Sequence, residues 1–170
     1  MSKMNKQHTV LGLLLMIVLS FVSCKSQKGT SSTAVFYDYE VQFIRTGVEG
    51  TELFKVFSYG HNEKECIGAA KSNAIKAILF KGVPGSGLIR PMVTEVGAEQ
   101  KHRDYFEEFF RPGGKYLNYV ALSGDGSIDD RDRLRVGNRL KIGIVVSVQK
   151  ANLRKELEAA GIIRGLSSGF

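Results

Sequence analysis

Two stretches in which apolar and polar residues alternate predict a β-hairpin. In YEVQFIR, residues 39–45, the apolar residues from Tyr39 to Phe43 alternate with polar ones, as in a strand with one buried face. The run LFKVFSY, residues 53–59, is rich in aromatic and β-branched residues. The glycines of the intervening TGVEGTE suit a turn, so the two runs are expected to pair.

The segment NEKECIGAAKSNAIKAILFKG, residues 62–82, carries apolar residues at helical spacing and predicts the clearest helix. Asn62 can cap its first turn, and Glu65 can complete a capping box. Gly82 follows the last turn, where a left-handed residue often ends a helix. The many small residues would let this helix lie close on a sheet, with Cys66 as a small core residue.

The remaining pattern predicts two more helices and two or three more strands. In chain order these are a loop with a possible short strand (83–93), an aromatic helix (97–114), a strand (116–123), a polar loop (124–133), the strongest and possibly central strand (140–149) and a closing helix (151–161). The order β-β-α-(β)-α-β-β-α favours the α+β class. We expect an antiparallel or mixed sheet of about four to five strands, with helices packed mainly on one face.

The apolar run that precedes Cys24 predicts a secretory signal. From Val10 to Val22 there are thirteen residues, almost all apolar, which is too few to cross a hydrocarbon core of ~30 Å. The residues before them carry two lysines and no acid, as in a signal peptide. The last four positions, Phe-Val-Ser-Cys, resemble the lipobox at which a bacterial lipoprotein is cut and lipidated on its new N-terminal cysteine.

This interpretation divides the chain into four parts. They are a signal peptide (1–23), the lipidated Cys24 with a flexible polar tether (24–36), a single α+β domain (37–165) and a tail (166–170). The alternatives are an ordinary cleaved signal with a chance cysteine, or an uncleaved anchor. Lys25 and Ser26 stand where an acidic cluster would signal surface export in some envelopes, which favours the periplasmic face of the outer membrane.

Composition restricts the partners. The 170 residues carry a formal net charge of +7, which favours anionic neighbours such as lipid head groups, lipopolysaccharide or cell-wall polymers. A secreted chain seldom meets nucleic acid, so no nucleic-acid partner is predicted, and a mixed-charge surface is the simpler interpretation. If Cys24 carries lipid, Cys66 remains as the only other cysteine, and no intrachain disulfide can form.

The motifs that suggest chemistry do not complete a site. GVPGSG, residues 82–87, lacks the Lys-Ser/Thr ending of a phosphate loop. DGSIDDRD, residues 125–132, lacks the spacing of a calcium loop, and neither His61 nor His102 belongs to a zinc motif. A thiol nucleophile at Cys66 is less expected than inert packing. The sequence therefore predicts no catalytic residue, no cofactor and no metal site.

Two alternatives to a plain structural role remain open. An enzyme that acts on envelope glycans would need two carboxylates facing one cleft, ~5 to 9.5 Å apart, and the candidates are Glu95, Glu99, Asp104, Glu107 and Glu108. A small-ligand carrier would need a pocket between the aromatic helix and the sheet. That helix carries Tyr105, Phe106, Phe109 and Phe110. They are expected to cover the sheet, although they could instead form an exposed patch that docks a partner.

Three segments in order, AAKSNAIKAILFKGVPGSG, RPMV and DYFEEFFRPGGKY, resemble a group of small, mostly uncharacterised Gram-negative envelope lipoproteins. The resemblance covers roughly residues 38–160. It implies a lipid-anchored α+β domain without established catalytic residues. The Ala-rich helix beside a hairpin is also similar, more remotely, to domains of lipoproteins that support larger envelope assemblies. We therefore expect a non-catalytic binding or assembly component, anchored through Cys24, whose partner is another envelope protein.

Overall fold

The computed structural model of the protein describes residues 39–86 and 89–165, which belong to one compact unit. The predicted signal peptide, Cys24, the tether and the tail lie outside the described residues. The strands are Glu40–Thr46 (β1), Thr51–Gly60 (β2), Val120–Leu122 (β3), Arg133–Val136 (β4) and Arg139–Gln149 (β5). The α-helices are Glu63–Lys76 (α1), Ala98–Lys101 (α2), Arg103–Phe110 (α3) and Lys150–Ala159 (α4).

An antiparallel sheet of five strands forms the centre of the described part. β5 pairs with β2 over the whole length of β2, from Thr51 opposite Gln149 to Gly60 opposite Leu140. β1 forms a hairpin with the other side of β2. On the remaining side of β5, β4 pairs with the first residues of β5 and β3 pairs with the last residues of β5. The predicted α+β class is confirmed. An antiparallel or a mixed sheet was predicted, and the sheet is antiparallel.

The helices of the described residues pack on one face of this sheet, as predicted. α1 crosses β2, β5 and β3, and α4 packs near the start of β2. Close contact is possible because Gly60 has no side chain: a Cβ there would lie 2.9 Å from the backbone nitrogen of Cys66. One polar bond fixes the contact, because Asn73 Nδ2 donates to Ser58 Oγ at 3.1 Å.

The predicted helix 62–82 is correct at both ends but not uniform. Asn62 Oδ1 accepts a hydrogen bond from the Glu65 backbone N–H, as the capping box requires. The Glu65 carboxylate reaches back to the N–H of His61 rather than to that of Asn62. After Lys76 the chain continues as a π-helical turn over Ala77–Lys81. Gly82 then ends it with φ +76°, in the region that glycine adopts without strain.

Three other expectations need correction. The aromatic helix is two helices, α2 and α3, because the backbone departs from helical geometry at His102. The predicted strand 116–123 begins as a 3-10 turn over Lys115–Tyr119, which buries Tyr116, and only β3 is extended. The segment near Pro91 is no strand. Instead, the N–H groups of Met92 and Val93 bond to carbonyls of the π-helical turn.

The hairpin of β4 and β5 was not predicted. β4 reads Arg-Leu-Arg-Val, an alternation of basic and apolar residues, but it covers only four positions and all four residues are exposed. It turns into β5 at Gly137, which has φ +60°, a conformation common in tight hairpin turns. By contrast, α4 ends as expected at Gly161, with φ +70°.

Candidate binding surface

The face of the sheet opposite α1 carries a mixture of aromatic, basic and aliphatic side chains. Along β2, Phe54 and Val56 are buried on the helix side, while Lys55, Phe57 and Tyr59 alternate with them and are half-buried. The register places residues of β5 beside these three, since Phe57 lies opposite Gly143 and Tyr59 opposite Lys141. We call this side of the sheet the open face.

Five side chains on the open face form a continuous series of cation–aromatic contacts. The ammonium nitrogen of Lys55 lies 5.5 Å from the centre of the Phe57 ring, and that of Lys141 lies 5.1 Å from the same ring. Lys141 is also 5.8 Å from the Tyr59 ring, and the Arg139 guanidinium is 5.1 Å from it. All four distances are within the range of a cation–π attraction. We call Lys55, Phe57, Lys141, Tyr59 and Arg139 the ladder.

Gly143 makes room for the Phe57 ring within the ladder. A Cβ at Gly143 would lie 2.7 Å from Cε1 of Phe57 and 3.1 Å from Cβ of Asp132, so a larger residue would displace the ring. With glycine there, the ring rests against the backbone of β5. The position of Phe57 between the two lysines therefore depends on this glycine.

Two carboxylates balance part of the positive charge of the ladder. Asp132 Oδ2 lies 2.5 Å from Lys55 Nζ, and Glu40 Oε2 lies 4.0 Å from Lys141 Nζ. The lysine side chains are 28% and 25% exposed, and that of Asp132 is 17% exposed. Each lysine of the ladder therefore has a carboxylate beside it.

Aliphatic side chains border the ladder on one side. Leu134 lies opposite Lys141 and Val136 opposite Arg139, so both share the open face. They are 52% and 50% exposed. The open face thus offers cations, aromatic rings and apolar surface together.

The five carboxylates considered for glycan hydrolysis lie mainly on the exposed surface. Four of them are exposed and Glu99 is half-buried. Glu95 and Glu99 line one cleft of about 330 Å³. Lys101 bonds to Glu95 at 2.7 Å and holds the pKa of that carboxyl below its usual range. A general acid needs a raised pKa, so Glu95 does not suit that role.

The other residues singled out from the sequence are occupied by structural contacts. Arg131 bonds to Asp129 at 2.8 Å and lowers the pKa of that carboxyl, and Asp125 accepts the N–H of Ser127. Cys66 is buried, and burial raises the pKa of its thiol, which disfavours a nucleophilic thiolate. Among the described residues, no group of three or more His, Cys, Asp or Glu side chains is placed to hold a metal ion.

The aromatic helix contributes to the core, and its rings contact the π-helical turn, the 3-10 turn before β3 and Lys76 of α1. Phe106 and Phe109 are buried, and Tyr105 and Phe110 are half-buried against them. Phe106 packs edge-on against Phe80 with 5.0 Å between ring centres. The carrier that was considered would need a pocket between this helix and the sheet. A separate cleft of about 590 Å³ lies beside Met92, Ile162 and Ile163.

Glu156 of α4 joins the helical elements through three polar contacts. Tyr119 Oη donates to it at 3.1 Å, Tyr105 Oη at 3.4 Å, and Lys115 Nζ at 3.2 Å. Burial and the adjacent Glu156 carboxylate raise the pKa of both tyrosines. This group lies on the helix side of the sheet. It fixes α4 against the segment that precedes β3, and we assign it a structural role.

Comparisons of the chain with protein-family profiles, curated proteins and solved structures returned no match. Within residues 39–86 and 89–165, no helix is both long enough and apolar enough to span a membrane.

Sequence reasoning missed the open face as a site. The alternation of Lys55, Phe57 and Tyr59 with buried residues was a usable signal. No comparable signal pointed to Arg139 and Lys141. They join the open face only through the register between two strands that are about eighty residues apart in the sequence.

Proposed function

We propose that this protein is a lipid-anchored lipoprotein of the bacterial cell envelope and acts there as a non-catalytic binding or assembly accessory. The proposed anchor is Cys24, and the proposed location is the periplasmic face of the outer membrane. The proposed binding surface is the open face. The observation that carries the binding role is the ladder, five ordered cationic and aromatic side chains on a face with no covering layer among the described residues.

Two features of the ladder support binding over a purely structural role. A sheet face that only closes a domain is expected to be polar, and this one retains rings and half-exposed aliphatic side chains. In addition, Lys55 and Lys141 are already held against Phe57, so less side-chain entropy is lost when a ligand binds.

The proposed anchor rests on the sequence. Each buried methylene contributes ~0.8 kcal/mol to membrane affinity, so several acyl chains on Cys24 would hold the protein firmly. The tether of residues 24–36 is rich in Ser, Gly and Thr, and an extended chain of that length reaches about 45 Å. The domain can therefore contact partners at, or some distance from, the membrane surface.

The anchor is tested by intact mass and membrane fractionation of the native protein beside a Cys24→Ala variant. The proposal expects the wild type to lack residues 1–23, to carry acyl mass and to sediment with membranes, and the variant to do none of these. If both proteins are soluble and unacylated, the anchor is wrong.

The assembly role is tested with a photo-reactive residue placed at Leu134, on the open face, and at Lys155, on the exposed surface of α4. A partner from the envelope should be captured through the first position in intact cells. Repeated capture through neither position would count against an assembly role, and capture through Lys155 alone would move the surface to the helix side.

A further inference from the structure

We propose that β4 binds an extended segment of a partner protein as an additional strand of the sheet, and that this segment places an acidic residue between two apolar ones. The inference rests on the proposed assembly role and names the chemistry of the partner at the border of the open face. The edge position of β4, its alternating side chains and the charge of Arg135 together carry it.

The outer side of β4 has backbone groups available for pairing. In the part of the chain that the structure describes, β4 pairs with β5 only. Val136 and Arg139 flank a two-residue turn and form a hydrogen-bonded pair. Because hydrogen-bonded and non-hydrogen-bonded pairs alternate in an antiparallel ladder, the N–H and C=O groups of Arg133 and Arg135 point away from β5. A further strand can bond to them there.

The side chains of β4 differ between its two faces. Leu134 and Val136 lie on the open face and are half-exposed, and Arg133 and Arg135 lie on the other side. Arg133 bonds to Glu63 of α1 at 3.0 Å, whereas Arg135 has no ion pair within the described part of the chain. Side chains of an added strand also alternate between the faces. Two apolar residues would therefore cover Leu134 and Val136, and an acidic residue between them would meet Arg135.

The arginines disfavour a second copy of this chain as the partner. Antiparallel pairing of β4 with the β4 of another copy, about a two-fold axis, keeps each side chain on its own face of the sheet. Arginine would then face arginine, and like charges directly opposite each other destabilise a strand pair. The strand that suits β4 therefore differs in sequence from β4 itself.

The undescribed segments of this chain do not supply such a strand either. Asp38 is the only acidic residue outside residues 39–86 and 89–165. It directly precedes Tyr39 and β1, the strand at the opposite edge of the sheet. An acidic strand beside β4 must therefore come from another protein.

The opposite edge of the sheet is less suited to the addition of a strand. The register of β1 with β2 shifts between Phe43 and Arg45, and such an irregularity bends an edge strand and interrupts further pairing. β4, in contrast, pairs with β5 in one regular register. We therefore assign the partner strand to β4.

The test compares two peptides, GTVEVTG and GTVKVTG, by NMR titration of the isotope-labelled full chain. The chain is held in phosphatidylcholine nanodiscs if it is lipidated and in buffer if it is not, so the test does not depend on the anchor. GTVEVTG should shift the amide signals of β4 and slow hydrogen exchange at the Arg135 N–H. It should bind about fivefold more tightly than GTVKVTG, because an opposite-charge pair replaces a like-charge pair.

Variants of the chain identify the side chains responsible. Arg135→Glu should reverse the preference between the two peptides, and Leu134→Ser should weaken the binding of both by loss of apolar contact. Lys155→Glu makes the same change of charge at an exposed position on α4 and should leave the preference unchanged. Thermal unfolding verifies that every variant is folded.

Three outcomes would overturn the strand pairing: no response of β4 to GTVEVTG at millimolar concentration, equal binding of the two peptides, or an unchanged preference in Arg135→Glu. The photo-reactive residue at Leu134 judges the assembly role separately. Capture of an envelope partner there without a response of β4 to the peptide would leave the assembly role standing and overturn the strand pairing. Selective binding of GTVEVTG without capture of a partner would support the strand pairing and count against the assembly role.

Discussion

The two faces of one sheet use the same strands for different purposes. On the helix side, Phe54 and Val56 are fully buried under α1, and polar side chains there have specific partners. On the open face, the neighbouring residues Lys55 and Phe57 are half-buried and are ordered by cation–π contacts. Burial specifies the fold on the first face. The second face contributes less to folding, and this leaves its residues available for binding.

The largest expected difference is between two phenylalanines of β2. Phe54→Ala should lower the free energy of unfolding by about 3–5 kcal/mol, because it leaves a cavity under α1. Phe57→Ala should cost only about 1–2 kcal/mol, because that ring is partly in water already. Urea unfolding of both variants measures this. Equal losses would show that the open face is as much a part of the core as the covered one.

A second difference should separate two ion pairs, each with an N–O distance of 2.5 Å. Lys150 bonds to Glu52, whose side chain is only 3% exposed and whose Oε2 has no partner among the described residues. Lys150→Met should therefore lower the free energy of unfolding by about 3 kcal/mol, because it leaves a buried carboxylate without its cation. Lys55→Met should lower the free energy of unfolding by about 1 kcal/mol at most, since the Asp132 side chain is more exposed to solvent than that of Glu52.

The double variant Glu52→Leu/Lys150→Met serves as the control for this comparison. Removal of both charges should recover most of the stability lost in Lys150→Met, since no unpaired charge then remains buried. If the double variant is less stable than Lys150→Met, the ion pair itself stabilises the fold. The loss in Lys150→Met is then not explained by a buried carboxylate without a partner.

Substitution of two glycines by alanine should change the free energy of unfolding in opposite directions. Gly143→Ala pushes against the Phe57 ring and should cost about 1–3 kcal/mol, with a change in the chemical shifts of that ring. Gly68→Ala, on the exposed side of α1 with nothing within 4 Å of the added Cβ, should stabilise by about 0.5–1 kcal/mol. Thermal unfolding and NMR of both variants measure these effects. Stabilisation by both would show that the ring can move without cost.

The smallest expected effect concerns pH on the helix side. Below pH about 10 the tyrosines are protonated in both folded and unfolded chains. Above it, the unfolded chain releases protons that folded Tyr105 and Tyr119 retain, so the free energy of unfolding should fall as pH rises. Glu156→Gln should lower the pKa of both tyrosines in an ultraviolet titration. Tyr116, whose pKa is raised by burial alone, should not respond.

The sequence was most informative where one face of an element is buried. The strands β2 and β5 and the helix α1 follow from alternation or helical spacing, and the caps at Asn62 and Gly82 follow from residue type. The errors occur where packing overrides propensity. The residues before β3 resemble a strand, yet the burial of Tyr116 bends them into a 3-10 turn. The exposed β4 alternates basic and apolar residues over only four positions, and the ladder needs a register that only the assembled sheet supplies.

The position of β5 has a consequence for how the chain becomes folded. This strand is the last of the sheet along the sequence but the central one in space, and its pairing with β2 joins residues about ninety positions apart. Contacts of such long sequence separation form slowly. During synthesis, the sheet cannot be completed until β5 has left the ribosome. Until then β2 lacks its longest partner strand, and its apolar residues Phe54 and Val56 have no sheet in which to be buried.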